Sequence, residues 1–229
     1  MVSLLITAFG RFDGGPNCSE RLIGRLTRDR RALAALWDGP VAFATFEVDS
    51  EMVEAAFAEA VAKARPTHVL LTGQAASRET LALERVAVNR RDLGVPDARG
   101  RTGFIGPVRD NGPDRRAATW PDLNGAAAAV SAEGVPAAVS DDAGTHLCNQ
   151  TLYLALEAGP RADPAFVATF LHLPLLPEQI EAQIPQAVGR DGIAGMKLDD
   201  MARAVRAFLV HTRRATRRRQ KTHHNESLA

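Results

Sequence analysis

Short apolar runs alternate along this chain with longer segments in which apolar residues recur every three or four positions. The short runs are rich in β-branched and aromatic residues and predict buried strands at 2–7, 41–48, 68–72, 137–140 and 166–173. The helical spacing predicts helices at 19–31, 52–64, 123–132, 147–158, 177–184 and 198–210. This alternation is typical of an α/β fold, and we expect a single domain with an open, twisted, mainly parallel sheet flanked by helices on both faces.

Residues 73–121 interrupt the pattern. Glycine, proline and charged residues separate short apolar pieces such as Val86-Ala87-Val88. Long irregular stretches are uncommon inside compact domains and are often functional. We therefore expect this segment to contribute to a site.

Length and composition are those of an ordinary globular protein, with 229 residues, 45% hydrophobic and 24% charged. The charge is uneven, because the last seventeen residues hold six basic residues and one acidic residue. We predict a domain over residues 1–210 and a basic tail over 211–229 that is solvated or disordered. A nucleic-acid or anionic-lipid arm is the alternative, but no interleaved aromatic residues or base-reading motif accompany the tail. We therefore predict no nucleic-acid partner.

The two cysteines, Cys18 and Cys148, cannot form a multi-bridge disulfide framework. The N-terminal residues lack the basic and apolar regions of a signal peptide, and no run approaches the roughly 18–20 apolar residues of a membrane span. These features predict a cytoplasmic protein with reduced thiols and no membrane partner.

One cysteine stands where a helix is predicted to begin, in the stretch "AGTHLCN" (143–149). Thr145 is a candidate N-cap, which would put Cys148 in the first turn. There the helix dipole favours thiolate, and free backbone N–H groups can receive an oxyanion. The alternative is that Cys148 only packs in the core.

Two further residues could complete a catalytic site at the strand ends. His172 lies on a strongly apolar strand, where its ring needs a partner, and Glu84 lies among apolar residues, where an unpaired charge is costly. A thiol nucleophile needs a base and a third group that orients the base, and these residues fit both roles. The alternatives are a core histidine, an ion pair of Glu84 with Arg78 or Arg90, and Glu178 as the partner of His172.

Other chemistries lack their motifs. "FGRFDGG" does not have the glycine spacing of a nucleotide-binding loop, and there is no G-x-S-x-G elbow. The pair His223-His224 is not accompanied by cysteine or carboxylate residues at the spacing of a metal site. We predict no metal and no cofactor.

Three segments together resemble the cysteine pyroglutamyl peptidases, which remove N-terminal pyroglutamate from peptides. "AGTHLCN" is similar to the cysteine motif of that family, "GQAASRETLALERVAVN" (73–89) to its glutamate motif, and "FLHLPLLPEQ" (170–179) to its histidine segment. The resemblance implies Cys148 as nucleophile, His172 as acid–base and Glu84 as the third member. It also implies peptide substrates with a blocked N-terminus, no cofactor, a cytoplasmic location and a homo-oligomer, either a tetramer or a dimer.

The resemblance also implies a substrate pocket, formed by Phe9, Phe12, Asn17, Gln74, Val95, His146 and Leu147. Three positions depart from the family pattern: His146 replaces an aromatic residue, Gly94 an arginine and Ala82 a hydroxyl residue. We expect Arg90 or Arg91 to replace the missing arginine. Because the pocket is altered, two alternatives stay open: the same chemistry on another small N-terminal acyl group, or a non-catalytic binding protein that uses its basic tail as a contact surface.

Overall fold

Strands and helices alternate through the parts of the chain that the structure, a computed structural model, describes: residues 2–12, 15–189 and 192–226, with side chains as far as Arg217. The strands are β1 (Leu4–Phe9), β2 (Val41–Phe46), β3 (His68–Gln74), β4 (Leu81–Glu84), β5 (Val86–Val88), β6 (Arg91–Leu93), β7 (Gly103–Gly106), β8 (Arg115–Ala117), β9 (Ala137–Ser140) and β10 (Val167–Leu173). The helices are α1 (Cys18–Arg28), α2 (Arg30–Trp37), α3 (Val53–Ala64), α4 (Leu123–Ala132), α5 (Leu147–Ala158), α6 (Pro177–Glu181) and α7 (Leu198–Glu226).

Six strands form the central sheet, in the order β2-β1-β3-β10-β4-β9. The first four are parallel, whereas β4 pairs antiparallel with β10 and parallel with β9. Two small antiparallel pairs, β5 with β8 and β6 with β7, lie outside this sheet. The sheet is therefore mainly parallel, with two reversed strands at one edge.

Side chains alternate between the two faces of the sheet and enter two separate cores. On β1, Leu4 and Ile6 join a core with α1, α2, α4 and α7, whereas Leu5 and Phe9 join a core with α3 and α5. Helices thus cover both faces, and the predicted fold class is confirmed.

The predicted helix over 19–31 was wrong at its end, because the chain forms two helices that meet at Asp29. The backbone N–H of Asp29 bonds to Leu26 O and ends α1, and α2 then buries Leu33 and Trp37.

The irregular segment 73–121 contains β4 to β8. Each of these strands has three or four residues, which is too short for a clear periodic pattern. Among the described residues, no helix is both long and apolar enough to cross a bilayer.

The predicted solvated or disordered tail was wrong for residues 211–217. Helix α7 continues without a break, and Thr212 and Arg213 are buried. Trp120 Nε1 donates to Thr212 Oγ1 at 3.0 Å, and the Arg213 guanidinium lies 5.5 Å above the Trp37 ring. These contacts attach the first turns of the basic segment to the domain, while residues 227–229 lie outside the described residues.

We expect truncation after Val210 to lower the thermal midpoint of unfolding by several degrees, because it exposes the buried tryptophans and leaves Trp120 Nε1 without its acceptor. Truncation after Arg217 keeps these contacts and should leave the midpoint near that of the full chain. Calorimetry on both truncations tests this expectation, and equal midpoints would contradict the packed role of residues 211–217.

Acid pH should weaken the fold through His68. Its ring lies between Trp37 and Trp120, and burial, with a smaller effect from the charge of Arg213, lowers its pKa to about 4. The unfolded chain binds this proton near pH 6.5, so stability should fall as the pH decreases from about 6.5 to 4, by at most about 1.4 kcal/mol per pH unit. Urea unfolding of wild type and His68→Phe across this range measures the effect, and parallel curves would refute it.

Candidate active site

A buried ion pair joins two neighbouring strands of the sheet. Glu84 ends β4 and is opposite Phe170 of β10, while His172 is two residues further along β10. Opposite and diagonal residues of an antiparallel pair share one face, so the two side chains meet beneath α5. His172 Nδ1 lies 2.8 Å from Glu84 Oε1, and both side chains are almost completely buried.

Glu84 lies in the segment 73–121, for which no strand was predicted, whereas the structure places it in the reversed strand β4. The competing partner for His172, Glu178, pairs instead with Arg21 on the surface. The competing interpretation of Glu84 was half right, because Arg78 does contact its carboxylate at 3.3 Å, in addition to His172. Arg90 pairs with Asp92.

Cys148 reaches the same face from the first turn of α5. Its thiol lies close enough to the His172 ring for the thiolate charge to raise the pKa of that ring. Gly73 makes room for the sulfur: it is in register with His172 on the adjacent strand, and a Cβ there would lie 2.9 Å from Cys148 Sγ and 2.7 Å from the Phe170 ring. A glycine inside a strand often marks such a close approach, which is the signal that the sequence offered for this position.

The N-cap of α5 is His146 rather than Thr145. The Thr145 hydroxyl donates to Asp92 O of β6 at 2.7 Å and does not bind the helix N-terminus. The backbone N–H groups of Leu147 and Cys148 still belong to the first turn, where an α-helix has no internal acceptors for them. Cys148 therefore lies in the first turn of a helix, as the sequence predicted.

The electrostatics of the pair favour a charged imidazole. Burial alone lowers the pKa of His172, but the Cys148 thiolate and the Glu84 carboxylate outweigh it and raise the pKa to about 9. The ring is therefore protonated at neutral pH when the thiolate faces it. A thiolate–imidazolium pair that a carboxylate orients is a nucleophile with an attached general acid.

Three of the predicted pocket residues contact one another. The rings of Phe12 and His146 lie 5.5 Å apart, and His146 Nε2 lies 3.1 Å from the carbonyl oxygen of Val95. A carbonyl only accepts, so Nε2 carries the hydrogen. Burial lowers the pKa of His146, which keeps the ring neutral at neutral pH.

The other predicted pocket residues also have structural contacts. Gln74, next to Gly73, accepts from the Cys18 N–H and from Gln179, and it donates to Gln186. Asn17 caps α1 by accepting from Ser19. Phe9 and Leu147 are buried in the core with α3 and α5. Sequence reasoning missed Gln179, although it ends the histidine segment 170–179, and Gln186, which lies in no quoted motif.

The replacement of the missing arginine at Gly94 by Arg90 or Arg91 stays a prediction. Arg90 lies over the Phe104 ring and pairs with Asp92, and Arg91 donates to Pro107 O. Among the described arginines, Arg78 is the one that contacts the Glu84 carboxylate.

Comparison with known proteins agrees with this geometry. A family model described as pyroglutamyl peptidase matches residues 2–214. The pyrrolidone-carboxylate peptidase of Clavibacter michiganensis is 34% identical over 214 residues and 93% of each chain. The crystal structure of pyrrolidone carboxyl peptidase from Fervidobacterium islandicum is similar with a TM-score of 0.81 and 28% identity, over 92% of this chain and 97% of that chain.

A second crystal structure, the pyroglutamyl peptidase I of Bacillus amyloliquefaciens, is similar with a TM-score of 0.80 and 25% identity. It covers 93% of this chain and 96% of that chain. The matches thus extend over the sheet, both helical layers and the segments that carry Cys148, Glu84 and His172. The chain belongs to the pyroglutamyl peptidase family.

Proposed function

We propose that this protein is a cysteine exopeptidase that hydrolyses the amide bond after an N-terminal pyroglutamyl group. One observation carries the proposal: Cys148, His172 and Glu84 lie close together beneath the N-terminus of α5. The chain that carries them belongs to the pyroglutamyl peptidase family. Cys148 is the proposed nucleophile, His172 the acid–base and Glu84 the residue that orients His172.

The reaction begins with attack of the Cys148 thiolate on the carbonyl carbon of the blocked residue. A C–S bond forms and the carbonyl oxygen becomes an oxyanion, which the first-turn N–H groups of α5 can receive. His172 then donates its proton to the leaving amine as the C–N bond breaks, which leaves an acyl-enzyme.

Water completes the cycle. Neutral His172 removes a proton from the attacking water, the C–S bond breaks, and the acid product leaves with the thiolate and imidazolium restored. Glu84 Oε1 accepts the hydrogen of His172 Nδ1, so Nε2 is the nitrogen that exchanges protons with the thiol and the substrate. Every step uses groups that the chain itself supplies.

The proposed pocket includes Phe12, Val95 and His146, with Gln74 beside Gly73. Phe9, Asn17 and Leu147 support it from the core and from the cap of α1. Peptides with a blocked N-terminus are the proposed substrates. A homo-oligomer and a cytoplasmic location remain predictions from the sequence.

A second candidate keeps the chemistry and changes the acyl group. His146 brings a polar imidazole to the wall that Phe12 and Val95 share, and its Nε2–H is already bound to Val95 O. Hydrolysis rates for pyroglutamyl, prolyl and N-acetyl amides of one fluorogenic amine separate the two candidates. The first predicts the highest kcat/KM for the pyroglutamyl amide, and a preference for another acyl group would favour the second.

We expect Cys148→Ser to lower kcat/KM on pyroglutamyl 7-amino-4-methylcoumarin by roughly 10³-fold or more, because a serine hydroxyl is not ionised by this pair. Cys18→Ala is the matched control. Cys18 is fully buried and burial raises its pKa, so its removal should leave both turnover and alkylation by iodoacetamide unchanged. Turnover that survives Cys148→Ser would overturn the assignment.

The alkaline limb of the pH profile should report His172. The pKa near 9 means that kcat/KM should fall as the pH rises through about 9, because the general acid loses its proton. In Glu84→Gln the burial that lowers this pKa remains, while the negative charge that raises it is lost, so the limb should move to lower pH. Profiles between about pH 6 and 11 test this, and a limb that does not move would refute the role of Glu84.

A further inference from the structure

Arg78 connects the proposed acid to the segment that carries the proposed nucleophile. It lies in the turn between β3 and β4, with 31% of its side chain exposed. Its Nη2 donates to Glu84 Oε1 at 3.3 Å, to Ser140 Oγ at 3.0 Å and to Asp142 O at 2.7 Å. Ser140 ends β9, and Asp142 precedes the turn that leads to Cys148. One nitrogen therefore spans both parts of the site.

The geometry divides the two hydrogens of Nη2 among three acceptors. The contact to Asp142 O is the shortest of the three, and the contact to Glu84 Oε1 is the longest. Asp142 also accepts the Gly144 N–H through its side chain at 2.9 Å, so the turn that Arg78 holds is itself ordered. Arg78 thus fixes the path of the chain from β9 to α5 against the carboxylate.

Charge balance gives Arg78 a second role. The Glu84 side chain is fully buried, and its Oε2 has no protein hydrogen-bond partner among the residues that the structure describes. A buried carboxylate is costly unless cations compensate it. In the reactive state the charges of Cys148, His172, Glu84 and Arg78 alternate in sign and sum to zero. Without Arg78 the cluster carries one excess negative charge.

We propose that Arg78 is a positioning residue that neutralises the buried Glu84 carboxylate and holds it in place relative to the Cys148 segment. This inference rests on the proposed function, because it assigns Arg78 a role in the same catalytic triad of Cys148, His172 and Glu84. The role is distinct from ordinary surface pairing, since the partner of Arg78 is a wholly buried acid.

Removal of the Arg78 charge should shift the ionisation of the whole cluster in one direction. A lost cation makes proton loss harder for both the Cys148 thiol and the His172 imidazolium, so both limbs of the pH profile should move to higher pH. Among the other titratable groups near the cluster, burial raises the pKa of the Cys18 thiol and lowers that of His146, so both are neutral at neutral pH. The Asp142 side chain is the same in wild type and in Arg78→Met, and it accepts the Gly144 N–H. The shift expected for Glu84→Gln is opposite, to lower pH.

The test compares Arg78→Met, Arg78→Lys and the matched control Arg85→Met. Arg85 lies next to Glu84 but pairs on the surface with Asp141, so its loss should change nothing at the triad. We expect Arg78→Met to lower kcat/KM by roughly 10- to 100-fold, as for loss of a charge-assisted contact. Both limbs of the pH profile of Arg78→Met should move to higher pH. In Arg78→Lys both limbs should lie at the wild-type pH, whereas kcat/KM should be only partly restored.

The rate of Cys148 alkylation by iodoacetamide against pH is the second readout, because it needs no substrate turnover. Its midpoint should rise in Arg78→Met, return in Arg78→Lys and stay unchanged in Arg85→Met. If wild type alkylates but hydrolyses no pyroglutamyl amide, the proposed function fails while this measurement still tests Arg78. Circular dichroism shows whether Arg78→Met folds. If it does not fold, the pH profile and the alkylation rate of Arg78→Lys test the proposal instead. If Arg78→Met folds and its turnover and alkylation depend on pH as in wild type, the proposal is wrong.

Discussion

The hydrogen bond between His172 and Glu84 is the interaction on which the site depends. Each group alone would be costly in this position, because an unpaired carboxylate or imidazolium loses its hydration when it is buried. Together they compensate each other at 2.8 Å. The pair exists because β4 runs antiparallel to β10, which makes residues 84 and 172 diagonal neighbours on one face. A parallel β4 would give a different pairing of residues across the two strands.

The covering helix must then bring a thiol to that pair without a gap or a clash. Helix α5 packs on β3 and β10, and Gly73 is the residue that allows the approach, since a side chain there would overlap both Cys148 Sγ and the Phe170 ring. The three proposed catalytic residues therefore lie on two strands and a helix rather than on mobile loops. Core packing sets their separation, and in close-packed interiors this separation changes little.

Most of the fold could be predicted from the sequence, because β1, β3, β10, α3, α4 and α5 each have a strong apolar pattern. The residues of the triad could be proposed from their motifs. The direction of β4 could not, since a four-residue strand carries no sign of its orientation and only its pairing with β10 decides it. The loss of Thr145 as N-cap and the packing of residues 211–217 depend on contacts with Asp92, Trp120 and Trp37, which are distant along the chain. Local pattern contains no information about such partners.

The proposed pocket wall is supported separately from the proposed catalytic residues. Val95, whose carbonyl holds His146, lies on a loop that the buried Asp97 anchors through Ser50 at 2.8 Å and Arg101 at 2.9 Å. Hydrogen bonds from these residues outweigh burial and hold the pKa of Asp97 well below its usual range, so the anchor stays ionised. The contacts of Glu84 and His172 involve none of these residues. A histidine can therefore stand at position 146, where the family pattern has an aromatic residue, and change the chemistry of the proposed pocket while the pair of His172 and Glu84 keeps its geometry.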